Sequence, residues 1–325
     1  MNKGFIDLLH RNYQAVFNFT GGATIESTFS MALQYTLGGR LYSGLEQTAV
    51  VKKVTVSTSL RSIMHGYGND PVLLEKIAAK FVIDGNVDES IEALHKNIDV
   101  LKEVGFSGGY DLYLSALFVT DTAHAQRAKQ LFDDMKRNQR FLTRKSDYPV
   151  VTLLTKQPDN SVPQMAQTIY EYYHSLRKLQ FKAGDELQML AQILTFYGPE
   201  FVAEIPHYAN QLKIELQQNG ITLKRHAYPL LGLLALNATD QAQLLRILTL
   251  YNEIIQHTTF KNMQNSALFA AVLKVLAEEG LKIAQASPTI QLTECMDVLF
   301  FSDVFFVVPK LFLENVFSGD FDLFQ

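Results

Sequence analysis

Two stretches eighty residues apart are near-copies: YPVVTLLTK at 148–156 and YPLLGLLAL at 228–236. Started seven residues upstream, they extend without gaps to a set of four. FLTRKSDYPVVTLLTKQ begins at Phe141, FKAGDELQMLAQILTFY at Phe181, ITLKRHAYPLLGLLALN at Ile221 and FKNMQNSALFAAVLKVL at Phe260, spaced by 40, 40 and 39 residues. The tenth column reads Val150, Leu190, Leu230, Phe269; the thirteenth Leu153, Ile193, Leu233, Val272; the fourteenth Leu154, Leu194, Leu234, Leu273. Apolar residues at i, i+3 and i+4 share one face of a helix. Nine residues before each start stands a second match, Phe132, Tyr172, Leu212 and Tyr251, so each unit carries a second helix that the large apolar first column closes. A weaker fifth copy starts at Phe106 with an irregular spacing of 35.

Such a hairpin has apolar side chains on more than one face and cannot hide them alone. Stacked neighbours hide them, at roughly 1.5–3 kcal/mol per fully buried large side chain, and periods near 40 are those of α-solenoids. The expected fold is therefore all-α, an α-solenoid-like stack of helical hairpins with a period of about 40 residues. Residues 1–105 read as an N-terminal helical part that caps the stack and runs on into it, 106–295 as the hairpin repeats, and 296–325 as a C-terminal cap dense in Phe. Capping chemistry fits these boundaries: Pro149 and Pro229 suit a first helical turn, Asp185 with Gln188 suggests a capping box, and Gly21-Gly22 and Gly38-Gly39 suggest helix stops. VVKKVTVSTS at 50–59 is the one candidate strand.

The remaining 325-residue inventory narrows the function classes. A net charge of -4 gives phosphate backbones little to bind, so no nucleic-acid partner is expected. One cysteine, Cys295, makes no disulfide framework. Asp7 and His10 break the apolar run of the N-terminus, which lacks a signal-peptide core, and Asp303 with Pro309 interrupts the longest apolar stretch, so no integral membrane segment and a cytoplasmic location are expected. The rings between Phe300 and Phe324 read first as a cover for the last hairpin, with a membrane-surface helix or a docking tail as alternatives.

Catalytic signatures are sparse. No two of the eight histidines lie within four residues of each other, which removes HxxxH metal pairs, and neither GxSxG nor a P-loop occurs. The paired aspartates of FDDMKRNQ are followed by Lys136 and Arg137 where a diphosphate-binding helix would place a third acid. No metal and no cofactor is expected. The recurrent feature is instead the polar turn before each repeated helix. Arg144, Asp147 and Tyr148 stand in one copy, Gln188 in the next, and Arg225, His226 and Tyr228 in the third. Inter-helix turns of a stacked array share one edge, and such edges bind partners; the basic pairs Arg144-Lys145 and Lys224-Arg225, in matching columns, suit an acidic segment or a phosphate group.

The motifs FLTRKSDYP, GDELQMLAQIL and YPLLGLLAL, in this order and spacing, resemble an uncharacterised bacterial family, domain of unknown function family 4003. The resemblance implies a helical bacterial protein and assigns no activity. The expected function is a non-enzymatic helical-repeat scaffold for a protein or peptide partner. An all-helical enzyme or small-ligand binder, with a cavity gathered from several repeats, is the alternative, and peripheral membrane binding through the Phe-rich end is another.

Overall fold

The structure is a computed structural model that describes residues 2–20, 25–57, 71–279 and Leu299. The Gly21-Gly22 stop, Cys295 and the Phe-rich segment from Phe300 onward lie outside the described residues. Fourteen α-helices pack in seven successive pairs among the described residues, called hairpins below. They pair α1 (Asn2–Thr20) with α2 (Ile25–Leu37), α3 (Gly44–Ser57) with α4 (Pro71–Asp84), and α5 (Val87–Glu103) with α6 (Tyr110–Ala116). They continue with α7 (Thr122–Asn138) and α8 (Tyr148–Leu154), α9 (Val162–Lys178) and α10 (Asp185–Leu194), α11 (Glu204–Gln218) and α12 (Tyr228–Leu236), and α13 (Gln241–Gln256) and α14 (Gln264–Glu279).

The two helices of a hairpin differ in kind. The first is amphipathic. In α9 the buried set Val162, Met165, Ala166, Ile169, Tyr172, Tyr173 and Leu176 steps at three and four residues, with polar residues between. The second, in the fourth to sixth hairpins, is short and enclosed all round: every residue of α8 and α12, and Leu187–Leu194 of α10, is buried. Helices of seven to ten residues are not stable in water by themselves, so packing holds these. The aligned columns supply that packing. Leu154, Leu194, Leu234 and Leu273 are all buried, as are Phe132, Tyr172, Leu212 and Tyr251 on the partner helices.

Contacts run from hairpin to hairpin and return to their start. In the inner row α6 packs on α8, α8 on α10, α10 on α12, α12 on α14, α14 on α2, and α2 on α4; outside, α3 meets α5, α5 meets α7, α7 meets α9, and α13 meets α1. An aromatic link repeats at three of these junctions. Phe106 meets Tyr148 edge-on with ring centroids 4.6 Å apart, Phe181 meets Tyr228 at 5.0 Å, and Phe260 meets Phe29 at 5.5 Å. The last of these joins the seventh hairpin to the first.

The first-column residue closes the preceding helix by a Schellman turn at three of the five starts; at Phe260 the amide donates instead to the carbonyl of His257, three residues back. The amides of Phe106, Phe181 and Ile221 donate to the carbonyls of Leu101, Leu176 and Leu216, five residues back. The residue between takes a positive φ: 96° at Gly105, 65° at Gln180 and 81° at Gly220. Phe141 departs from this expectation. No residue before it adopts a positive φ, α7 ends instead with Leu142 and Thr143 bonded back to Gln139, and the Phe141 ring is left 88% exposed. The candidate strand at 50–59 is likewise corrected. Residues 50–57 lie in α3, where Val50 and Val54 fall one turn apart on the buried face and Lys52 and Lys53 point outward.

In the third to sixth hairpins the far end is clasped from the amphipathic helix. Asn97 Nδ2 donates to the carbonyls of Ala116 and Val119, both at 2.9 Å. Arg127 donates to Gln157 and Asn160 carbonyls, Thr168 to Pro199, and Tyr208 to Thr239. These side chains supply donors to carbonyls at or just past the end of the short helix, where intrahelical partners run out.

Two outcomes follow. Gln180→Gly removes the left-handed penalty of a Cβ-bearing residue and raises stability by about 1 kcal/mol, read as a higher urea midpoint. Gly232→Ala places a Cβ 2.6 Å from Ile193 Cγ2 and 3.0 Å from Ile193 Cβ at the α10–α12 junction. Overpacking of about 1–3 kcal/mol outweighs the helix-propensity gain of roughly 1 kcal/mol, so that midpoint falls.

Candidate functional site

The turns that enter α8, α10, α12 and α14 lie side by side on one rim, and all seven residues singled out in the sequence stand on it. The structure divides them into two sets. Asp147, Tyr148, Gln188 and Tyr228 are buried, His226 is half-buried, and only Arg144 and Arg225 reach the surface.

Asp147 is the hub of the buried set. It ends a short 3-10 turn, and its Oδ2 accepts from the Arg144 amide at 2.7 Å, which caps the entry to α8. Its Oδ1 accepts from Gln188 Nε2 at 3.0 Å and from Gln192 Nε2 at 2.7 Å, both on α10. One carboxylate thus ties two neighbouring inner helices. Burial pushes the Asp147 pKa up to about 6, against the three donors, which favour the anion. The expected Asp185–Gln188 capping box does not form, because Gln188 is committed to Asp147. Gly184 is the N-cap of α10, and the Gln188 amide donates to the Gly184 carbonyl at 3.2 Å. Gln192, not singled out in the sequence, completes the cluster. Its signal was two glutamines one turn apart on a helix otherwise apolar past its first turn.

The tyrosines are packing elements. Tyr148 sits between Phe106 and Phe132, and Tyr228 stacks edge-on with Phe181 while its hydroxyl accepts from the Lys182 amide at 3.4 Å. Burial, aided by Lys224, holds the His226 pKa below the usual histidine range. The two arginines bracket the first turn of α10. Arg144 pairs with Asp185 at 3.3 Å, and Arg225 pairs with Glu186 at 3.3 Å while reaching the Ala183 carbonyl. Exposed pairs of this kind contribute about 0–1 kcal/mol.

Around them the rim is basic. Arg140, Lys145, Lys182, Lys224 and Lys261 are exposed on the four turns. Among the described residues, the turns at the opposite ends of these hairpins expose Asp121, Asp159, Glu200 and Asp240, with Lys156 half-buried beside them. A cleft of about 350 Å³ opens on the basic rim between Gly220–Lys224 and the start of α14, lined also by Tyr251, Asn262 and Asn265. Among the described residues no three His, Cys, Asp or Glu side chains gather as metal ligands, and no helix is long and apolar enough to cross a membrane.

Paired helices returning on themselves, with polar turns gathered on one rim, make this an all-helical protein. The particular family follows from comparison with family models: the one described as "Protein of unknown function (DUF4003)" matches residues 30–298, and the chain belongs to that family. No curated protein and no solved structure matches.

The Asp147 cluster yields a test of sign. A carboxyl whose pKa is raised in the folded state destabilises the fold when ionised, and relief begins as pH falls through about 6 and is complete below the ordinary Asp value near 3.9. Lowering the pH from 7 to 5 therefore adds an Asp147 increment to stability. Asp147→Ala abolishes that increment in urea titrations at the two pH values. It also strands three donors and lowers stability by about 3 kcal/mol at pH 5.

Proposed function

We propose that this chain is a non-enzymatic scaffold of helical repeats, each hairpin a unit of about 40 residues, whose basic turn rim docks a protein or peptide partner. The observation that carries the reading is the split between the two sets of rim residues. The groups with the chemistry for catalysis, Asp147 and the two tyrosines, are occupied by hydrogen bonds and rings of their neighbours. What the rim offers outward is cationic: Lys182, Lys224 and Lys261 stand on successive turns beside the Arg144 and Arg225 pairs. A positive edge opposite a negative one steers and orients an anionic partner, and charge of this sort acts mainly on association rate and register.

The experiment is site-specific photocrosslinking in cells of the source organism. Probes replace Lys182, Lys224 or Lys261 on the basic rim, and Asp159 or Glu200 on the acidic one. The reading requires a discrete crosslinked partner at the basic-rim positions, lost when the other two of Lys182, Lys224 and Lys261 are changed to Glu. Crosslinks confined to the acidic rim, or none at any position, refute it.

A further inference from the structure

The circuit of hairpins closes at one junction that the chain's connectivity does not supply, where α1 and α2 meet α13 and α14. That seam carries a feature the other aromatic links lack. The links at Phe106 and Phe181 meet tyrosine rings. At the seam, Phe260 stands edge-on to Phe29 and Tyr13 and also meets two imidazoles, His10 from α1 and His257 from the end of α13. The two imidazoles face each other with ring centroids 4.5 Å apart. Phe260 itself is wholly buried, so whatever separates His10 from His257 uncovers the ring that holds the first hairpin to the last.

The hydrogen bonds fix the protonation state that suits closure. The Thr259 amide donates to His257 Nδ1 at 3.3 Å, and a ring nitrogen accepts only while it carries no proton. The Thr259 hydroxyl, 3.1 Å from His10 Nδ1, spans to the other ring. Protonating His257 at Nδ1 turns the first contact into two opposed N–H groups, and protonating both histidines sets like charges face to face.

We propose that the His10–His257 pair is a proton-operated latch: with both rings neutral the ring of hairpins is closed at this seam, and mild acid loosens it there. The surrounding charges modify this without reversing it. Asp7, on the same helix as His10, favours the cation, but its influence is weaker than that of burial and of His257, both of which favour the neutral ring. Glu253 and Lys3 line the same cleft of about 560 Å³ with opposite signs, and Lys274 of α14 is turned to the Phe5 ring at 5.4 Å. Because closure depresses the His10 pKa, the closed form binds fewer protons than the open one. Its stability is complete above the ordinary histidine pKa near 6.5 and declines as pH falls below it.

Hydrogen–deuterium exchange on the full chain at pH 7.5 and 5.5, corrected for intrinsic rates, tests the latch. Amides of α1 and α13 should exchange severalfold faster at the lower pH, while α10 exchanges no faster. His10→Gln with His257→Gln should flatten the seam's response. Equal acceleration in every hairpin, no acceleration at the seam, or a selective response that survives in the double variant overturns the proposal. Should the double variant fail to fold, the wild-type profile decides, since its midpoint must fall below 6.5 and be confined to the seam.

Discussion

An α-helix without a polar face has to be enclosed from every direction, and α8, α10 and α12 are such helices. An amphipathic partner covers one side of each. The neighbouring inner helices cover two more. At the ends of a linear row this cover runs out, and an end helix like these would stand open to water. Returning the row to its start removes the ends, which is what the contacts of α14 with α2 and of α13 with α1 accomplish. Burial of this extent also explains why seven-residue helices exist at all, since too few backbone hydrogen bonds form within them to offset nucleation.

Much of this was legible in the sequence. The helical class and the burial of the aligned columns follow from spacing alone, because a 3.6-residue period leaves its mark in one chain. The return of the row to its start left no such mark. Phe260 reads as one more first-column residue, and nothing in its own segment says that its ring meets Phe29 from the far end of the chain. The rim was half legible. Its residues were found, but their division into buried and exposed sets was not, because composition does not tell that Gln188 turns to Asp147 and leaves its own helix uncapped. The strand expected at 50–59 failed for a simple reason. Valines at positions four apart satisfy a helix as well as they satisfy alternation, and Val50 and Val54 belong to the former.

Charge is sorted along the hairpins in the direction set by the outer helices. Acidic residues gather where those helices begin and basic ones where they end, the arrangement that complements the dipoles. The inner helices run the opposite way and offset much of the aligned dipole, so the two rims differ chiefly by side-chain charge. Two buried or half-buried titrating groups then respond to acid with opposite signs. Asp147 is relieved by a proton, whereas His10 is placed where a proton is unwelcome. The same drop in pH that tightens the α8–α10 junction acts against the seam between first and last hairpins.

The carbonyl clasps bear on how such a protein can change over time. Asn97, Arg127, Thr168 and Tyr208 grip the turns of four successive hairpins with four different functional groups. A whole hairpin carries its clasp with it, so duplication or exchange of complete pairs leaves every grip intact. Recombination breakpoints between the two helices of one pair mismatch the grip and its turn. Lineages of this architecture are thereby biased to grow and diverge in steps of two helices.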